Sequence, residues 1–139
     1  MIILDSSAAI EMVLESEEGI GMQEMMLDNE EVISCSLFGA ETASVIRKMK
    51  RNGTVSDKEA YAYYDKAQDL VDRFYPIEEL QNEALHESIR LDHSVYDMFY
   101  FVLARRTGGT LFSTDNKLLD LCAANGVDGI EFIENLCGD

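Results

Sequence analysis

The chain is expected to fold as an α/β protein: a parallel sheet covered by helices on both faces. Three observations lead there. Short strand-like runs, Ile2–Leu4, Val32–Cys35 and Thr110–Ser113, alternate with longer helical stretches, the pattern of strands buried on both sides. The stretch Ser94–Leu103 is apolar or aromatic all round apart from Asp97, as in a core helix, and its ten residues are too few to span a bilayer. At 139 residues and 47% apolar composition, one domain over 1–139 suffices, and no linker, repeat or low-complexity tract divides it. Such a domain buries roughly two thirds of its unfolded surface.

In chain order, Ile2–Leu4 reads as a buried strand ending at Asp5. Ser6 or Ser7 is then placed to cap a helix through Leu14, and Ser16 to start a second through about Asp28, with Ile20, Met22, Met25, Met26 and Leu27 on its apolar face. Val32–Cys35 is the next strand. Ser36 is positioned to cap a helix running to Arg51 and ended by Asn52-Gly53. Ser56-Asp-Lys-Glu59 is a capping box opening a helix through about Arg73. Tyr75-Pro76 stops that helix, and Ile77 is expected in a short strand. Leu80–Leu91 and Ser94–Arg106 are helical, Gly108-Gly109 breaks to the strand Thr110–Ser113, Asp115–Asn125 is helical, and Ile130–Ile133 is a last strand.

The net charge of −16, from 27 acids against 11 bases, favours basic partners and opposes unspecific binding to nucleic acid. The N-terminus shows neither a basic region nor a long apolar run, and Cys35, Cys122 and Cys137 lack metal-ligand spacing. A cytoplasmic protein with reduced thiols and no membrane anchor is expected.

Four acids stand out. In an open parallel sheet, ligands bind beyond the carboxyl ends of the strands. Asp5 and Asp115 each lie just past such an end. Glu41 is in line with Phe38, Val45 and Met49 at helical spacing, so it and Asp97 face inward. Two carboxylates about 4 Å apart repel by roughly 4 kcal/mol at an effective dielectric of about 20. Four converging acids therefore need protons or a cation, and apart from Lys117 beside Asp115 no basic residue adjoins them. A hard divalent ion, Mg²⁺ or Mn²⁺, fits oxygen ligands of this kind and suits phosphate-ester hydrolysis. Each acid also has a simpler reading: Asp5 and Asp115 as helix caps, Asp97 in a capping box with Ser94, and Glu41 paired with a distant Arg.

These residues, in this order, resemble the PIN-domain ribonucleases, and the VapC-type toxins among them, essentially end to end. Met1-Ile-Ile-Leu-Asp5-Ser-Ser resembles the opening strand with its first acid and hydroxyls. Glu41 with Arg47 resembles the second block, Ser94-Val-Tyr-Asp97-Met-Phe-Tyr-Phe-Val-Leu-Ala104 the third, and Leu111-Phe-Ser-Thr-Asp115-Asn-Lys-Leu the fourth. The resemblance implies an α/β/α sandwich on a roughly five-stranded parallel sheet, usually dimeric. It also implies metal ligation by Asp5, Glu41, Asp97 and Asp115 with Ser6 and Ser113 in support, endonucleolytic cleavage of RNA, and a small antitoxin partner. Ser6 and Ser113 stand where Thr is common, and Met98 where Ala is usual, which would crowd the floor of the site.

Among the bases, Arg47, Lys48, Lys50 and Arg51 cluster at one helix end. Lys48 lies about 10 Å along the axis from Glu41 on the same face, within reach of the next phosphate of an RNA strand. Such clusters also arise because cations favour helix C-termini, as Arg105-Arg106 would. His93, four residues before Asp97, could serve as a ligand or general base, but with oxygen ligands already sufficient it reads as a helix-entry residue. The Met residues read as core, and Tyr61, Tyr63 and Tyr64, which could stack bases, as packed aromatics. Two rivals to a metal-dependent ribonuclease remain: a catalytically weak acidic module that binds a basic antitoxin-like protein, and a phosphoacceptor domain. The last needs an acid pair where Asp5 stands between Leu4 and Ser6.

Overall fold

Residues 1–26 and 29–131 are described by a computed structural model. Their order is β1 (Ile2–Leu4), α1 (Ser6–Leu14), α2 (Glu17–Met25), β2 (Val32–Cys35), α3 (Leu37–Arg51), α4 (Asp57–Asp69) and β3 (Arg73–Tyr75). A 3-10 turn (Ile77–Glu79), α5 (Gln81–Leu91), α6 (Val95–Thr107), β4 (Thr110–Phe112) and α7 (Asn116–Ala124) follow. All strands pair in parallel in the order β3-β2-β1-β4. The chain reverses its direction of travel across the sheet at β1, so β1 and β4 are the neighbours whose carboxyl ends form a binding crevice.

Side chains alternate through the sheet. Ile2, Leu4 and Val32 point into one buried cluster with Ala8, Ala9, Met12, Met22, Phe38 and Ala67, which belong to α1, α2, α3 and α4. Ile3, Ile33 and Leu111 point into the other, with Ala84 of α5, Met98–Ala104 of α6, and Leu118 and Cys122 of α7. Helix α6 lies across β1, β2 and β4 and is buried from Met98 through Ala104, so only its first and last turns meet solvent. Gly108 ends it with φ 70°, a left-handed conformation that suits glycine. The next residue, Gly109, passes so close to Ile3 that a Cβ would stand 2.2 Å from Ile3 Cδ1.

Several expectations need correction. Helix α4 stops at Asp69, not Arg73, because Asp72 is drawn into the sheet edge: its amide donates to Val32 O and its carboxylate accepts from Val32 N, both at 2.8 Å. Arg73–Tyr75 is therefore the strand, and Ile77 begins a 3-10 turn after Pro76 instead of a strand. Asp5, not Ser6 or Ser7, caps α1. Ser36 makes no cap bond to α3; its hydroxyl accepts from Ile77 N at 3.0 Å and ties β2 to the turn after β3. Ser16 and the Ser56/Glu59 box cap α2 and α4 as expected.

The sheet has four strands among the described residues against the five expected. Of the expected strand Ile130–Ile133, Phe132 and Ile133 lie outside them. Before these, Gly129 bridges Leu111 in parallel and Ile130 N donates to Leu111 O at 3.0 Å. Leu27 and Cys137 also lie outside the described residues. Cys35 and Cys122 are buried free thiols.

Candidate active site

Asp5 sits at the end of β1, where its amide donates to Phe112 O of β4 and its Oδ1 accepts from Ala8 N and Ser7 Oγ. A carboxylate there serves as helix cap and rim residue at once, because each oxygen has more than one lone pair. Only 5% of Asp5 is exposed. Burial lifts its carboxyl from 3.8 to about 6, against the pull of the Ser113 hydroxyl, the Ala8 amide and the Ser7 hydroxyl, with the charge of Asp97 pushing the same way as burial.

Asp115 follows β4 and caps α7, its Oδ1 accepting from Lys117 N and Leu118 N. Serine hydroxyls stitch the two rim acids together. Ser7 Oγ lies 2.7 Å from Asp5 Oδ1 and 3.4 Å from Ser113 Oγ, and Ser113 Oγ accepts from Asp115 N at 3.0 Å.

Glu41 is half-buried on the second turn of α3. Its Oε1 accepts from Tyr100 Oη at 2.5 Å and from Ser6 Oγ at 3.4 Å. Burial raises its carboxyl, Tyr100 opposes that, and the charge of Asp97 adds to it. Asp97 occupies the first turn of α6. The capping box with Ser94 does not form: Ser94 Oγ accepts from Tyr96 N, while Asp97 Oδ2 pairs with His93 Nε2 at 2.8 Å. Burial again raises the Asp97 carboxyl, His93 lowers it, and the nearby charge of Asp115 raises it further.

Asp97 is thus the hub: its charge acts on Asp5 and Glu41, and Asp115 acts on it. Donor atoms of His93, Asp97 and Asp115 lie within 4.8 Å of one another. Among the described residues, no Lys or Arg forms an ion pair with any of the four acids, and Glu41 has no distant Arg. The carboxyls of Asp5, Glu41 and Asp97, raised by burial and by neighbouring acid charge, together with Asp115 and an imidazole and without a basic counter-ion, make a donor set that fits a divalent cation.

A family model of the PIN domain matches residues 2–124. The chain belongs to the PIN-domain family. Ribonuclease VapC12 of Mycobacterium tuberculosis, strains CDC 1551 / Oshkosh and ATCC 25618 / H37Rv, is 30% identical over 118 residues, 85% of this chain and 89% of that protein. Among solved structures, PAE2754 from Pyrobaculum aerophilum superposes with a TM-score of 0.66 at 21% identity, over 86% of this chain and 84% of that one. Mycobacterium tuberculosis VapC20, a Sarcin-Ricin loop cleaving toxin, superposes with a TM-score of 0.67 at 17% identity, over 95% of this chain and all of that one (100%). These two likenesses concern the fold.

In this PIN domain, Ser6 and Ser113 touch the acids as hydroxyl donors and acceptors, and Ser7 and Tyr100 join them. Sequence reasoning passed over both: Ser7 looked like a cap, and Tyr100 was one aromatic among several in an apolar helix. His93, read as a helix-entry residue, is instead bonded to Asp97. Its spacing, four residues before that acid, was the available signal. Met98 is fully buried in the core cluster. Arg105 and Arg106 pair with Glu83, and Arg105 also with the buried Glu87, so they are structural. Arg47, Lys48 and Arg51 are exposed at the end of α3, while Lys50 pairs with Asp57 at 3.4 Å. Among the described residues, no helix is long and apolar enough to cross a membrane.

Proposed function

We propose that this chain is a VapC-type endoribonuclease, the toxin of a toxin–antitoxin pair, hydrolysing RNA phosphodiester bonds at a site built from Asp5, Glu41, Asp97 and Asp115. One observation supports the reading: Asp97 and Asp115 come with His93 within 4.8 Å of one another, the charge of Asp97 acts on Asp5 and Glu41, and no Lys or Arg pairs with these acids among the described residues. The similarity to a protein named as a ribonuclease supports RNA as the substrate class.

When bound, Mg²⁺ or Mn²⁺ supplies Lewis acidity and a water activated near neutral pH. The protein's own contribution is placement. Asp5 and Asp115 are anchored by helix-terminal amides and the Ser7–Ser113 hydroxyls, Glu41 by Tyr100 and Ser6, and Asp97 by His93. Each carboxylate arrives with little rotational freedom left to lose, which is what a preorganised site requires. Exposed Arg47, Lys48 and Arg51 at the end of α3 supply a cluster of positive charge for the RNA backbone.

The net charge of −16 favours a second reading, an acidic module whose main business is to bind a basic antitoxin. RNA cleavage with and without Mg²⁺ or Mn²⁺, using Asp97→Asn as control, separates the two. The nuclease reading expects metal-dependent cuts that the variant abolishes; equal background in both proteins would overturn it.

A further inference from the structure

We infer that His93 is itself a ligand of the cation, so that the site is a mixed nitrogen–oxygen centre that prefers Mn²⁺ to Mg²⁺. This rests on the four-carboxylate reading above and deepens it.

The first ground is spacing. Ligands adjacent on a six-coordinate sphere with bonds of about 2.1 Å stand about 3 Å apart, and opposite ones about 4.2 Å. His93 Nε2 lies 2.8 Å from Asp97 Oδ2, an adjacent-ligand separation. The donor atoms of His93, Asp97 and Asp115 all fall within 4.8 Å, close to the span of one coordination sphere.

The second ground is the way His93 is presented. It stands between α5 and α6, preceded by Asp92, which ends α5 with φ 50°, a left-handed conformation that is uncommon outside glycine. Ser88 clamps its backbone from both sides: His93 N donates to Ser88 O at 3.1 Å, and Ser88 Oγ donates to His93 O at 2.5 Å. The imidazole is therefore fixed against the acids. Its side chain is 15% exposed, so solvent and ions reach it.

The third ground is chemistry. Imidazole nitrogen is a poor partner for Mg²⁺, which prefers oxygen and water, and a better one for first-row transition ions, Mn²⁺ included though it is the weakest of them. A site of carboxylates alone discriminates little between Mg²⁺ and Mn²⁺; adding one nitrogen tilts it toward Mn²⁺.

The decisive experiment is pulsed EPR on the Mn²⁺-loaded protein. Directly bound imidazole gives ¹⁴N modulation, which should change to the ¹⁵N pattern when the protein is produced with ¹⁵N-histidine. The chain has only two histidines, and the other, His86, is exposed on α5, so His86→Gln should leave the signal intact. In equilibrium titrations His93→Ala should weaken Mn²⁺ binding by about tenfold or more and Mg²⁺ binding by less than about threefold. If Mn²⁺ binds in an Asp97-dependent way without histidine coupling, His93 only orients Asp97 and the inference is overturned while the carboxylate site stands. If Mn²⁺ does not bind, or binds equally well in Asp97→Asn, both fall.

Discussion

Tyr100 Oη donates to Glu41 Oε1 at 2.5 Å, and Tyr100 stands one helical turn beyond Asp97 on α6. One helix therefore delivers one acid and holds another that belongs to α3. Only 2% of Tyr100 is exposed, and burial with the neighbouring charges of Cys35 and Glu41 holds its phenol well above the usual range, so it acts as a hydrogen-bond donor.

Removing that hydroxyl tests its role as a positioning residue. Tyr100→Phe keeps the buried ring but leaves Glu41 with the longer bond to Ser6. RNA cleavage is expected to drop about tenfold or more, by analogy with the loss of outer partners at metal sites. Melting should shift only modestly, and Mn²⁺ affinity should fall along with kcat. Unchanged metal affinity and kcat would show that Glu41 needs no such support.

Asp97→Asn sets charge against shape. As a mere polar group at a helix entry, Asp97 should accept Asn at a cost of about 1 kcal/mol, with cleavage intact. As the hub of the acids, its loss should lower cleavage by orders of magnitude. The metal-free protein should melt no lower, because the charge pressing on Asp5 and Glu41 is gone. Melting in chelator and metal-dependent cleavage, measured side by side, decide it.

Acidity provides a third test. Asp5 has its carboxyl raised from 3.8 to about 6 by burial, so the folded metal-free protein binds this proton more tightly than the unfolded chain does. The stability this contributes is complete below the unfolded value and is lost as pH rises through about 6, by roughly 3 kcal/mol at most. Melting temperature in chelator should fall between about pH 4 and 7, and Asp5→Asn should remove part of that slope. With Mg²⁺ or Mn²⁺ present the trend should reverse, because protons and cations compete for the same oxygens.

The exposed bases of α3 make a separable prediction. Replacing Arg47, Lys48 and Arg51 together by Ala should weaken RNA binding and flatten its dependence on salt, leaving Mn²⁺ affinity and melting nearly unchanged. A variant that binds RNA as the parent does would assign those residues to helix-end electrostatics alone.

The charge of −16 leads to a partner prediction. A cognate antitoxin should place a basic segment against the acids, and association should slow steeply as ionic strength rises. Association insensitive to salt would exclude that arrangement.

Most of the architecture was legible because strands buried on both faces and a helix apolar all round leave a strong pattern. What was misread was local. The helix expected to run to Arg73 stops early because Asp72 finds Val32 across the sheet, a contact forty residues away in the chain. Ser36 looks like a cap until Ile77 is seen to claim its hydroxyl. The acids could be chosen from their rim and inward placement, but their holders could not. Tyr100 bonds to Glu41, a group that only the fold brings near, whereas Ser7 and His93 bond to acids two and four residues away, a spacing equally common in caps and helix entries.

The pairing of β1 with β4 also sets when the molecule can act. Ile2 registers with Thr110 and Leu4 with Phe112, so the strand that leads into Asp5 has no β4 partner until Phe112 has been made. A nascent chain on the ribosome holds Asp5, Glu41 and even Asp97 without Asp115 beside them. Any product halted before β4 lacks both an edge partner for β1 and the last acid. The activity proposed for this fold thus requires β4 and Asp115 and cannot precede their synthesis.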